Sequence, residues 1–367
     1  MYSCYFFCIL KNIMDQNKIN DKRLIQEFKG ITFSGFKKTE GKREFLNNIL
    51  EGKIEGSNYW CAELVCCGAF MDIWEIILTV TCKHIYISNL KIPMYLEKRF
   101  NTFKELVNNG YMDNELALRN NDKIREIFAE IISVLTLSNK RNIISRSKLH
   151  KDIFDVTNLQ AKLKANHLNY SDDCFSNNDP KELQIAVNEL CFNIQAKNLL
   201  QCSFWLEWII EFECRCNKKK IKCEADTRTF APVISKYQKD IIWIVWDCLL
   251  KYSKKQETYK YKLINTLMNL FSIRYSSGTK KKRIYLLYYA IIILVETLPI
   301  KKQKLVEDST ILQKIKEKIN LIYKQIKKNE ITPNTDYLFK GLNENNLEKS
   351  LSKIEQMNSA GFIPRLN

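Results

Sequence analysis

Ile124-Arg125-Glu126-Ile127-Phe128-Ala129-Glu130-Ile131-Ile132-Ser133-Val134-Leu135 decides the fold class of this chain. Its apolar residues Ile124, Ile127, Phe128, Ile131, Ile132 and Leu135 recur at three- and four-residue steps, which line up one face of an α-helix. A half-buried strand would alternate instead. The run stops at Ser138-Asn139-Lys140-Arg141. The same spacing recurs on both sides of it. Upstream lie Tyr59, Trp60, Leu64 and Cys67, then Ile73, Trp74, Ile77 and Leu78 beyond a break at Gly68. Pro93 suits a helix start, ahead of Tyr95, Leu96, Phe100, Phe103, Leu106 and Val107, with Gly110 as a stop. Downstream, Leu183 to Leu190, Phe204 to Phe212, Ile241 to Leu250, Leu263 to Phe271 and Tyr285 to Leu294 read as helices. Leu312, Ile315, Ile319, Ile322 and Ile326 form a further one, capped by Asp308 or Ser309. The expected fold is all-α, a multi-helix bundle of one extended or two abutting helical domains.

The composition agrees. Hydrophobic residues are 46% of 367, enough for sizeable cores and too many for a disordered chain. Gly 10 and Pro 6 are few, which disfavours turn-rich sandwiches and barrels. The organisation expected is an N-terminal arm over 1–56 and a first helical domain over 57–142. A connector over 143–182, a second helical domain over 183–330 and a tail over 331–367 follow. Leu347, Leu351, Ile354 and Met357 give the tail a short amphipathic helix. Residues 1–13 read as an over-extended start, since Met14 opens an ordinary polar beginning. A faint echo links Tyr59-Trp60 with Phe204-Trp205, and 125–132 with 239–246; chance likeness between aromatic helices is the preferred explanation.

Charge points to partners. Lys and Arg number 58 against 41 acids, a formal +17, which attracts nucleic acid, an anionic membrane or an acidic protein. Part of the excess is compositional, because an AT-rich genome favours Lys, Asn and Ile. No secretory signal precedes the 13 cysteines, so they read as free, mostly buried thiols in a reducing, intracellular compartment. The longest apolar run, Ile284 to Val295, is too short for a bilayer, and the chain is expected to be soluble.

Catalytic signals are sparse. His84, His150 and His167 are scattered, so no triad is visible, and no Gly-rich phosphate loop occurs. Glu207 and Glu211 stand one turn apart and are able to hold a divalent ion for phosphodiester cleavage, or else form a solvated face beside lysines. Cys214, Cys216 and Cys223, around Lys218-Lys219-Lys220, are candidate zinc ligands if Cys202, Cys248 or a distant His supplies the fourth. Against this, the paired Cys-x-x-Cys hooks of structural zinc sites are missing. No other cofactor is expected.

The strongest functional candidates are cations. Lys251, Lys254, Lys255 and Arg274 lead to Lys280-Lys281-Lys282-Arg283, placed after the turn Ser276-Ser277-Gly278. Such a cluster contacts backbone phosphates without reading sequence. Tyr252, Tyr259, Tyr261 and Tyr275 are interleaved and able to stack on bases, or else to pack inward.

Several strings carry a resemblance. Ala62-Glu63-Leu64-Val65-Cys66-Cys67-Gly68, Ile92-Pro93-Met94-Tyr95-Leu96 with Arg99-Phe100, Asn109-Gly110-Tyr111 and Phe128-Ala129-Glu130-Ile131 are four of them. Asp179-Pro180-Lys181-Glu182-Leu183 and Asn334-Thr335-Asp336-Tyr337-Leu338-Phe339 extend the set. Together they resemble a protein family of nucleocytoplasmic large DNA viruses of the mimivirus and phycodnavirus type. The resemblance implies a viral source, hence the host cytoplasm or nucleus or the virion, and no particular mechanism. Tyr59-Trp60-x-Ala62, Glu115-Leu116-Ala117-Leu118 and Leu137 to Asn142 are similar to the helical collar of clamp-loader-related ATPases, which implies a scaffold beside DNA and a capacity to oligomerise. The expected function is a non-catalytic accessory that binds nucleic acid or a nucleic-acid-processing complex. A virion assembly protein meeting acidic viral proteins is the alternative, and a metal-dependent nuclease is the third.

Overall fold

The computed structural model describes residues 17–331, apart from 22, 110–113, 143–145, 147, 148, 150, 155 and 299–303. The all-α expectation holds: the elements are helices, and among the described residues the one extended pairing is an isolated bridge between Ile31 and Lys37. The tail helix, His150 and residues 1–13 lie outside the described residues. The chain divides into two compact units. One takes the chain up to Val80, Lys98–Lys140 and the chain from Lys304. The other takes Thr81–Glu97 and Arg141–Gln303.

The first unit opens with a segment expected to be an arm, and which instead is core. Gly30 and Gly35 both sit at φ +87°, a conformation that disfavours side chains, and this closes a tight loop. Thr32 N–H donates to the Phe36 carbonyl at 2.8 Å, and Lys38 N–H to that of Gly30 at 2.8 Å. The loop buries Phe28, Phe33 and Phe36, the last edge-on to Trp60 at 5.4 Å. Helix α1 (Lys38–Leu50) follows, then α2 (Ile54–Cys66), which is buried on nearly every face from Gly56 onward. α2 ends in a Schellman motif. Gly68 adopts φ +69°, Ala69 N–H donates to the Leu64 carbonyl at 2.8 Å, and Gly68 N–H to that of Val65 at 3.0 Å. Helix α3 (Phe70–Val80) then places Trp74 among Phe100 of α4 (Ile92–Asn108) and Phe128, at 5.0 and 5.8 Å. Asn114 caps the short α5 (Glu115–Arg119) and Asn121 caps α6 (Asp122–Leu137), which carries the quoted apolar stripe. At the far end of α6, the Lys140 ammonium donates to the carbonyls of Leu135, Thr136 and Ser138, satisfying groups the helix leaves unpaired.

The second unit begins with a π-helical turn over Thr81–Ile85, and includes the first residues of α4, where Glu97 accepts from Thr266 and Asn269 at 2.8 and 2.5 Å. After the short α7 (Val156–Gln160), α8 (Gln184–Gln195) and α9 (Leu199–Lys218) form an antiparallel hairpin, turned at Lys197 with φ +53° and capped by Asn198. A second hairpin joins α10 (Ile242–Gln256) to α11 (Thr258–Phe271) at Glu257. The one-turn α12 (Thr279–Lys282) leads into α13 (Ile284–Val295), which is buried at eleven of its twelve positions. A helix apolar all round belongs in the centre of a core, and α13 packs on α8, α9, α10 and α11. No helix among the described residues is long and apolar enough to cross a membrane.

The chain then returns to the first unit. Helix α14 (Ser309–Lys327), capped by Asp308, lays Ile311, Ile315, Ile319, Ile322, Tyr323 and Ile326 against α2 and α6. This corrects the domain boundaries expected from sequence, which kept residues up to 330 in the second domain. The physical reason is burial: the apolar face of α14 completes the cover of α2, and the buried Arg125 guanidinium stacks on the Tyr323 ring at 3.9 Å. The region taken as a connector, 143–182, belongs inside the second unit. The echo finds no counterpart in packing, since α2 and α6 are direct neighbours whereas α9 packs chiefly on α8 and α10 on α11.

Replacing Gly68 by Ala is expected to lower stability in thermal unfolding by about 1–2 kcal/mol, because the left-handed conformation is lost to L-residues. A Cβ there meets Ile25 at 2.6 Å, while at Gly52, φ +76°, it meets open space. Gly52→Ala is therefore expected to cost less, and equal losses would remove the Ile25 contact from the explanation.

Candidate functional site

The four cations of 280–283 separate by helical geometry. Positions 280 and 283 share one face at i, i+3 and turn inward, while 281 and 282 face solvent. Lys280 is buried, and its ammonium donates to both oxygens of Glu213 at 2.5 and 2.6 Å and to both of Asp240 at 2.7 Å. Tyr275 O–H donates to Asp240 at 2.8 Å. Burial pushes the Glu213 carboxyl above the ordinary range, against the pull of Lys280. Arg283, also buried, donates to the carbonyls of Phe271 and Ile273 at 2.6 Å each. Two of the expected phosphate-binding residues are thus internal struts. A buried charge is tolerated only when its donors are used, and both are satisfied this way.

The strut has a consequence for the exposed pair. Glu213 lies in the last turns of α9, so the Lys280 clamp holds α12 against that end of α9. The Cys214 thiol on that part of α9 raises the Lys281 pKa above the ordinary lysine value. Lys281 and Lys282 therefore lie beside the end of α9, from which Lys218, Lys219 and Lys220 run exposed into the loop. Lysines at a helix C-terminus also complement its dipole, which is their purely structural use. Lys222 is exposed and pairs with Glu224 at 3.0 Å.

The other expected cations are placed differently. Lys251 donates to the Asp173 carbonyl and to the Asp247 carboxylate, the latter at 3.0 Å. Lys255 pairs with Asp173 at 2.5 Å, and Lys254 lies over the Tyr261 ring at 5.0 Å. Arg274 is exposed at φ +43°. Tyr252 and Tyr275 are buried, and Tyr259 and Tyr261 half-buried, so the first two pack inward and offer no face to a base. The Glu207–Glu211 pair also fails to form a joint site. Glu207 is buried, accepts from Arg146 at 2.6 and 2.9 Å and from Tyr288 at 2.6 Å, and so is neither a solvated face nor an open metal ligand.

The thiols regroup as well. Cys214 acts on Lys281, whereas burial, with Cys216 nearby, pushes the Cys223 thiol up to about 12. These three do not converge on one point. The group of potential ligands that does converge among the described residues is Cys174, Cys191 and Cys248, all buried, with sulfurs within 4.8 Å of one another. Cys174 to Cys248 is 2.8 Å and Cys174 to Cys191 is 3.8 Å. The S–H groups around it hold the Cys174 thiol below the ordinary range, Cys191 and then Cys248, against the effect of burial. Sequence reading missed this set, since its spacings of 17 and 57 residues match no short motif.

Lys280→Met is expected to destabilise the chain by about 3–5 kcal/mol in denaturant unfolding, since it leaves the carboxylates of Glu213 and Asp240 close together without their shared cation. Lys281→Ala and Lys282→Ala are expected to stay within about 0.5 kcal/mol of the parent. Equal effects across the three would contradict the inward and outward division. No family model, curated protein or solved structure matches this chain.

Proposed function

We propose that the chain binds nucleic acid through the phosphate backbone, on the surface formed by Lys218, Lys219, Lys220, Lys281 and Lys282. One observation carries this reading: the Lys280–Glu213–Asp240 clamp ties α12 to the last turns of α9, and Lys281 and Lys282 on the one segment and Lys218, Lys219 and Lys220 at the end of the other are exposed. Five exposed ammonium groups in one area attract a polyanion and release its counterions, without selecting a sequence. Lys251, Lys254 and Lys255 are less suited, because Asp173, Asp247 and the Tyr261 ring already engage them. The reading assigns no reaction to the chain. Taken with the viral resemblance, it fits a non-catalytic accessory of replication or transcription.

The test is the salt dependence of binding to a DNA duplex and to a single strand of equal length. The Lys281→Glu, Lys282→Glu variant is expected to lose on the order of tenfold or more in affinity, and its log–log salt slope to fall by about 2. The Lys254→Glu variant is expected to bind nearly as the parent does. Parent-like binding by the double variant would refute the surface. Tight binding to an acidic polypeptide in preference to DNA would favour the assembly reading instead.

A further inference from the structure

Cys174, Cys191 and Cys248 come from three separate elements of the second unit. Cys174 lies in the turn after the Asn169–Ser171 3-10 helix, Cys191 on α8 and Cys248 on α10. The turn is tied to both helices. Asn188, one turn before Cys191, donates from its amide to the His167 carbonyl at 2.8 Å and accepts from Ser171 N–H at 3.3 Å. Lys251, one turn after Cys248, donates to the Asp173 carbonyl. Arg228 donates to the Cys174 carbonyl at 3.0 Å and is itself held by Asp179 at 2.6 Å. The helices that supply two of the sulfurs thus also orient the third, the kind of support that metal ligands receive from their neighbours.

We propose that these three sulfurs are the ligands of a soft d10 cation, cuprous copper or zinc. Thiolates select such ions over hard cations. With metal–sulfur bonds of about 2.3 Å, a trigonal site has sulfur–sulfur edges of about 4 Å. The triangle here has edges of 2.8 and 3.8 Å and a third no longer than 4.8 Å, so an opening of its shortest edge brings the sulfurs to that spacing. No further Cys, His, Asp or Glu of the described residues joins the group. Three-coordination is the habit of cuprous copper, while zinc would add a water as its fourth ligand. Binding forms three metal–sulfur bonds and expels the remaining S–H protons to solvent. Other buried thiols, such as Cys82 and Cys202, lack this grouping, and burial pushes each of them up. A simple disulfide would account for two of the three cysteines and leave Cys191 without a reason to be there.

The full chain, reduced and kept anaerobic, is to be offered one equivalent of zinc or of cuprous copper, freed of unbound ion and assayed for metal. One equivalent of one of the two is expected to remain, and for copper a thiolate-to-metal absorption band. Retention is expected to fall at least tenfold in Cys191→Ser and in Cys248→Ser, and to persist in Cys202→Ser and Cys223→Ser. X-ray absorption on the unmodified chain serves if a variant fails to fold, and three sulfurs at about 2.3 Å are expected. Failure to retain either ion, fewer than three sulfurs, or full retention in Cys191→Ser would overturn the proposal.

Discussion

A single ammonium group sets the geometry of the candidate surface. Lys280 sits between Glu213 and Asp240, within 2.7 Å of all four carboxylate oxygens, with little of any of the three side chains exposed. Removing charges from water is costly, and mutual attraction compensates only when every donor and acceptor is used. Here Tyr275 supplies a further donor to Asp240. The demand for satisfied partners therefore fixes α12 against α9 and the segment entering α10. Once α12 is fixed, the residues beside Lys280 have no choice of side: Arg283, just past its end, follows inward and Lys281 and Lys282 outward.

The same constraint appears in the first unit with another answer. Arg119 and Arg125 are buried, and they spend their donors mainly on backbone carbonyls, those of Cys66, Arg23, Arg119 and Asn17. A guanidinium presents five donors in a rigid fork, which suits several carbonyls arriving from different segments. In this way the residues before α1 are drawn into the core beside α2 and α6. In both units, buried cations join pieces of chain that lie far apart in sequence. Apolar burial supplies the driving force, and the charges select which segments meet.

Much of the helical layout was legible in the residues. The stripe of 124–135, the stop at Gly68 and the isoleucine face of 311–326 each follow from local spacing or from one backbone conformation, and such signals need no knowledge of distant partners. The site was legible only in part. Lys281 and Lys282 were identified together with Lys280 and Arg283, because a run of four cations carries no mark of which pair is buried. That depends on where Glu213, Asp240 and the Phe271 and Ile273 carbonyls arrive. Cys214, Cys216 and Cys223 drew attention because they are close in sequence, yet on a helix adjacent alternate positions point apart.

By itself the sequence determined that the chain is helical and basic, since these are properties of composition and short-range pattern. Only the tertiary structure decided that α14 covers α2, that Lys280 is internal, and that three cysteines from three elements meet. Each of those outcomes rests on contacts between segments separated by tens to hundreds of residues. They are set by which apolar faces remain uncovered and which buried charges still lack partners, and no local window of sequence contains that information.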